Sequence, residues 1–268
     1  MVRVTPTDRR TALRTGAGLV AAGSLAGGCS RAGSAGDRRA APSEASAATS
    51  RAPAPARAPA APAPRRFPGQ PGQIDHGPRD RPRVALTFHG GGDPGTARAV
   101  LAEAERHGAR LTVLAVGTWL DAHPALARRV LDGGHDLGNH THRHLDINAM
   151  SEAEARAEIA GCAERLSRLT GSIGTWFRPS RAVRASPLVT RLAQAAGYPH
   201  VLSYDVDSLD FTAPGAPAVT RKVLAEIRAG SVVSLHFGYA DTVAALPDLL
   251  EELDRRGLRA VTTTELLS

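Results

Sequence analysis

Cysteine is scarce: Cys29 and Cys162 are the only two in 268 residues. Cys162 falls in an expected helix, where a lone thiol serves as a small buried hydrophobe. If Cys29 is taken up as described below, no disulfide is available, and an exported domain here relies on its core alone. Lysine is scarcer still, with Lys222 alone, and arginine carries the positive charge. That bias reflects genome composition more than function. Aliphatic residues are almost absent from Cys29 to Arg83, a stretch of mostly Ala, Pro, Ser, Gly and Arg. Such a segment cannot bury enough apolar surface to offset its conformational entropy, so a disordered linker is expected over residues 30–83. A basic groove is also missing. The net charge is +7, yet residues 1–83 hold fourteen arginines against five acids, and residues 84–268 hold nineteen basic against twenty-one acidic side chains. The folded part is slightly acidic, which argues against nucleic acid as a partner.

What is present begins with a leader over residues 1–29. A charged start containing Arg9-Arg10 precedes an uncharged run from Thr15 to Gly28, the layout of an export signal of twin-arginine type. Leu25-Ala26-Gly27-Gly28-Cys29 resembles a bacterial lipobox, with Leu25 one position further from the cysteine than is usual. Cys29 is thus the candidate lipidation site, and the membrane, through a lipid anchor, a candidate partner. The Ala-Pro runs of the linker favour extended polyproline, so about fifty residues reach on the order of 150 Å. That suits a domain held away from a membrane and reaching into a cell wall.

Residues 84–268 alternate strand and helix signals. Strands are expected at Val84–Phe88, Arg110–Val116, His135–His140, Thr175–Arg178, His200–Val206, Ser231–His236 and Leu258–Thr262, with helices between them, several followed by glycine. The pattern implies an α/β fold with parallel strands, and seven strands suit a closed or nearly closed β/α barrel. Chemistry in such barrels gathers at the C-terminal ends of the strands. His89, His140, Arg178, Asp207 and His236 each fall at or just past a different expected strand end. His140 and His144, four apart, would share one face of a helical turn and hold one metal ion through imidazole nitrogens. His142 is expected to be a solvated bystander.

The motifs Thr87-Phe88-His89-Gly90-Gly91, His140-Thr141-x-x-His144, Phe177-Arg178-Pro179, Asp207-Ser208-Leu209-Asp210-Phe211 and Leu235-His236 stand in the order and spacing of the NodB-homology polysaccharide deacetylases. The chain resembles that family over Val84 to Leu267. The resemblance implies a distorted seven-stranded β/α barrel that removes acetyl groups from a carbohydrate, such as peptidoglycan or another acetylated polysaccharide, with a divalent metal, commonly zinc. It implies His140 and His144 as metal ligands and His236 as the general acid. It implies Arg178 as the residue orienting the base, and Asp207 as the one tuning the acid.

One departure matters most. The family's first motif reads Thr-Phe-Asp-Asp-Gly, with one aspartate as base and the next as metal ligand, and here those positions are His89 and Gly90. Three readings stay open. Asp93 reaches back as ligand or base; His89 binds the metal beside His140 and His144; or the metal is lost and the protein binds glycans without catalysis. The third motif continues Pro179-Ser180-Arg181-Ala182, losing an aromatic wall and offering Arg181 to an anionic group. Trp119, Trp176, Tyr204 and Phe211 are the candidate sugar-stacking residues.

Overall fold

The computed structural model describes residues 60–268. The expected export signal, Cys29 and the linker up to residue 59 lie outside the described residues. Residues 60–83, expected to be linker, belong to the fold. Phe67 and Ile74 are buried, and Gln73–Ile74 forms a short strand, β1. A two-residue strand flanked by Gly and Pro carries too little periodicity to stand out from a linker.

The other strands are β2 (Arg83–Gly90), β3 (Thr112–Ala115), β4 (Asp136–Asn139), β5 (Val201–Leu202), β6 (Val206–Asp207), β7 (Val232–His236) and β8 (Arg259–Ala260). They pair in parallel in the order β4-β3-β2-β7-β6, with β8 beside the start of β2 and β1 beside β5. The strand expected over Thr175–Arg178 is reduced to single parallel bridges from Phe177 to Asn139 and to Val201. An antiparallel bridge joins His76, just past β1, to Ser231, just before β7.

Helices α1 (Pro94–Arg106), α2 (Gly117–Ala122), α3 (Pro124–Asp132), α4 (Glu152–Thr170), α5 (Pro187–Ala195), α6 (Ala216–Glu226), α7 (Ala240–Arg255) and α8 (Thr263–Leu266) join them, with short 3-10 turns at Ile147–Ala149 and Asp210–Thr212. Their ends follow local chemistry. Ser151 and Glu154 form a capping box at the start of α4, and Gly171 ends it in the left-handed conformation at φ 78°.

The strand period of two decides which side chains meet. In register, Ala85 lies beside Val232, Thr87 beside Thr112 and Ser234, and His89 beside Leu114 and His236. These residues share one face of the sheet. The alternate residues Val84, Leu86, Phe88, Val113, Val233 and Leu235 face the helices and build the largest core cluster. The first face is apolar at the N-terminal ends of the strands, where Ala85 and Val232 pack with Phe67, Trp176 and Leu266. It turns to hydroxyls at Thr87, Thr112 and Ser234, then to histidine at the C-terminal ends. That gradient places the site.

Candidate active site

His89 and His236 are in-register neighbours on β2 and β7, with ring centroids 4.3 Å apart. His140 follows β4 and lies 4.3 Å from His89 and 4.8 Å from His144, centroid to centroid. The expectation of a helical turn over His140–His144 is corrected: the segment is a loop, with Thr141 and His144 at φ 67° and 57°. Left-handed backbone in these non-glycine residues is strained and is held by surrounding bonds. The Thr141 amide donates to Asn139 Oδ1 (2.9 Å) and its hydroxyl to Ser180 Oγ (3.0 Å).

His89, His140 and His144 offer one ligand atom each, all within 4.8 Å of one another, and form the one such metal-ligand cluster among the described residues. Buried His140 places Nδ1 3.0 Å from the Arg178 carbonyl. The Nδ1–H donates there, which leaves the Nε2 lone pair bare, and Nε2 has no hydrogen-bond partner. A buried imidazole with one nitrogen anchored on a carbonyl and the other free is the arrangement of a metal ligand. The three histidines fit a divalent ion in number and chemistry.

Their electrostatics agree. Burial pushes His89 well below the ordinary imidazole value, helped by the charges of His140, His236, Arg178 and His144. Burial does the same to His140, helped by His144. His144 is lowered by burial, then by Arg181 and His236. Neutral imidazoles are the ligating form.

Asp93 does not join them. It caps α1, its carboxylate accepting from the Thr96 amide (2.8 Å) and hydroxyl (3.2 Å). Those bonds, the amide's first, hold the exposed carboxyl below its usual range. The expectation that Asp93 reaches back as ligand or base is thereby corrected: helix capping engages it. Gly90 lies on the helix-facing side of β2, where an added Cβ would come within 2.9 Å of the Ala115 Cα. Having no side chain, Gly90 supplies no ligand to the site.

The partner of His236 is Asp210, not Asp207. Asp210 Oδ1 is 2.7 Å from His236 Nδ1, and its Oδ2 accepts from the His236 amide (2.8 Å) and the Thr242 hydroxyl (2.6 Å). Burial would raise the Asp210 carboxyl, but these bonds outweigh it and hold it low. Asp207 instead accepts from the Leu209 amide at 3.1 Å. Both aspartates stand in one short motif, and spacing alone did not say which faces the imidazole.

Arg178 is fully buried. It donates to Thr87 Oγ1 (2.8 Å), the Ser203 carbonyl (2.9 Å) and the Leu202 carbonyl (3.3 Å). Burial pushes its guanidinium down to about 10, so it remains charged. It makes no hydrogen bond to His89 and acts on it through charge.

Above the histidines lies a cleft of about 570 Å³ lined by His89, His144, His236, Trp119, Arg143 and Tyr239, among others, and among the described residues by no Asp or Glu. Trp119 is fixed by donating to the Gly92 carbonyl at 3.0 Å. Gly92 itself sits at φ 86°, where a Cβ would come within 2.6 Å of the Gly238 Cα. Phe211 stands edge-on to His236 at 5.5 Å and is exposed. Trp176 and Tyr204 are not at the cleft. Trp176 stacks on Phe67 at the far end of the sheet, and Tyr204 lies against Arg178. His142 is half-buried, not solvated, against Gly117 and Gly161, and its Nδ1 has no partner.

The polysaccharide deacetylase profile matches residues 76–201. A peptidoglycan-N-acetylglucosamine deacetylase of Bacillus cereus is 32% identical over 194 residues, covering 71% of this chain and 90% of that protein. A chitooligosaccharide deacetylase of a Bradyrhizobium species is 31% identical over 197 residues, covering 65% of this chain and 85% of the relative. Among solved structures, a CE4 family pseudoenzyme from Bacillus anthracis superposes with a TM-score of 0.70 at 22% identity, covering 74% of this chain and 70% of that one. That last likeness concerns the fold alone. With its motifs gathered at one end of a parallel sheet, and with relatives this similar over most of their length, this chain belongs to the polysaccharide deacetylase family of hydrolases.

Proposed function

We propose that this protein is an exported, envelope-anchored, metal-dependent hydrolase that removes acetyl groups from an N-acetylated glycan, with peptidoglycan the substrate its relatives' names support. Export through residues 1–29, anchoring at Cys29 and closure of the sheet into a distorted barrel are part of the same proposal. The His76–Ser231 bridge supports closure. Among the described residues no helix is long and apolar enough to cross a membrane.

The observation that carries this reading is the bare Nε2 of buried His140, facing His89 and His144. We assign those three as metal ligands and zinc as the metal, since three imidazole nitrogens suit it. Bound there, the ion would polarise an acetyl carbonyl and activate water. The protein's own residues do the rest. His236 protonates the departing nitrogen, and Asp210 fixes its ring so that the other nitrogen faces the cleft. Burial first, and then the neighbouring charges that include Arg178, keep His89 neutral. Trp119 lines the cleft and exposed Phe211 stands beside His236, two aromatic surfaces for a sugar.

A second reading, a glycan-binding protein without catalysis, draws on the absence of any carboxylate among the cleft-lining residues. Metal analysis of the purified chain, alongside acetate release from N-acetylglucosamine oligomers, separates the two. Stoichiometric metal with acetate release, both lost in His140→Ala, is the expected result. Metal without acetate release would favour the second reading, and a metal-free, inactive chain would sink the first.

A further inference from the structure

Arg143 lies on the cleft wall beside the ligand His144, and the acetyl-removing chemistry above leaves it unused. Its Nε donates to Glu158 Oε1 at 2.6 Å, while its own backbone amide donates to Glu158 Oε2 at 2.7 Å. Glu158 projects from α4, and its side chain is only 2% exposed, against 56% for Arg143. One buried carboxylate thus clamps both the backbone and one edge of the guanidinium. The two terminal nitrogens make no hydrogen bond among the described residues. A guanidinium held this way is pre-organised, and its free edge matches the paired oxygens of a carboxylate or phosphate.

Arg181, exposed at φ 54°, has no ion-pair partner among the described residues, and its charge acts on His144 from the neighbouring loop. Among the described residues no acidic side chain lines the cleft to repel an anion. A cation that served only to neutralise Glu158 would not need to line the cleft.

We propose that Arg143, positioned by Glu158, reads an anionic group on the substrate. The substrate class is then an N-acetylated glycan bearing a carboxylate or phosphate beside the sugar that loses its acetyl. This rests on the glycan reading above but not on turnover.

The test is equilibrium binding, which needs no acetate release. Three oligosaccharides of equal length are titrated into the purified chain: neutral N-acetylglucosamine, the same with one carboxylate, and the same with one phosphate. An anionic oligosaccharide is expected to bind roughly tenfold tighter than the neutral one, the yield of a charge-assisted hydrogen-bonded pair. Whichever anion gains identifies the source. Arg143→Gln should erase the gain and leave neutral binding unchanged. Because that change strands the Glu158 charge, the double variant Arg143→Gln/Glu158→Gln, which leaves no buried charge unpaired, should give the same result in a folded protein. Equal binding of all three sugars, or an anion preference that survives the double variant, overturns the proposal. Anion preference without acetate release upholds it and refutes the hydrolase reading instead.

Discussion

The two ends of the parallel sheet are built from the same strands and differ in what their side chains are asked to satisfy. At the N-terminal end, Ala85 and Val232 pack against Phe67, Trp176 and Leu266, and the indole nitrogen of Trp176 donates to Asp136 at 3.1 Å. At the C-terminal end, His89, His140 and His144 crowd together with the Nε2 of His140 unpartnered. All five non-glycine residues with positive φ among the described residues, Thr141, His144, Arg181, Leu209 and Ala213, lie in loops at this second end. Strain and unsatisfied polar atoms gather where ligands are expected, while the opposite end satisfies its groups internally. One end stabilises, and the other is held ready.

The largest expected effects separate the ends outright. His236→Ala should lower acetate release by about 10²–10⁴-fold, the usual loss on removing a general acid, while the chain still unfolds at nearly its original urea midpoint. Trp176→Ala should do the reverse. It removes a large buried ring 5.3 Å from Phe67 and should lower stability by about 3–5 kcal/mol, with metal content per folded molecule unchanged. If Trp176→Ala strips the metal from protein that is still folded, the two ends are coupled and the division fails.

Much of this division was legible in the sequence. Strand-end placement alone marked His89, His140 and His236, because parallel strands carry chemistry at their C-terminal ends. Other features were hidden for physical reasons. His140 and His144 meet through a left-handed loop, and no helical spacing rule describes that. Asp207 and Asp210 differ in role because of where a short loop turns, which composition does not encode. Asp93 looked free in a glycine-rich loop, yet Pro94 after it and Thr96 beyond were the signature of a helix start. Phe67 and Ile74 lay in a segment whose average composition masked two isolated core residues.

The carboxylate at His236 offers the next distinction. Asp210→Asn keeps the shape but loses the charge that orients the imidazole, and acetate release should fall roughly ten- to hundredfold. Asp207→Asn, which touches a backbone amide instead, should cost much less. Equal losses would return the tuning role to Asp207. Gly90→Asp probes the same end from its helix-facing side. Its Cβ meets the Ala115 Cα at 2.9 Å and Val113 Cγ1 at 3.1 Å, so overpacking should lower stability by about 1–3 kcal/mol without raising metal affinity. A gain in affinity would show that the strand end can rotate a carboxylate inward.

The smallest effect is a slope in pH. Burial holds His89, His140 and His144 below the ordinary value of 6.5 at one end. At the other end burial also lowers His135, at the start of β4, although the nearby Glu105 carboxylate opposes it. A histidine with a depressed folded-state value contributes stability in full above 6.5, and that contribution is lost as pH falls through 6.5 toward the folded-state value. Metal-free protein should therefore lose urea stability on acidification below about pH 6.5, by at most about 1.4 kcal/mol per pH unit for each histidine involved. His140→Gln should flatten that slope more than His135→Gln, because Glu105 offsets part of the burial at His135 and no carboxylate does so at His140. Equal flattening by the two variants would mean that the ends titrate alike, and that the crowded histidines are no harder to charge than one beside a carboxylate.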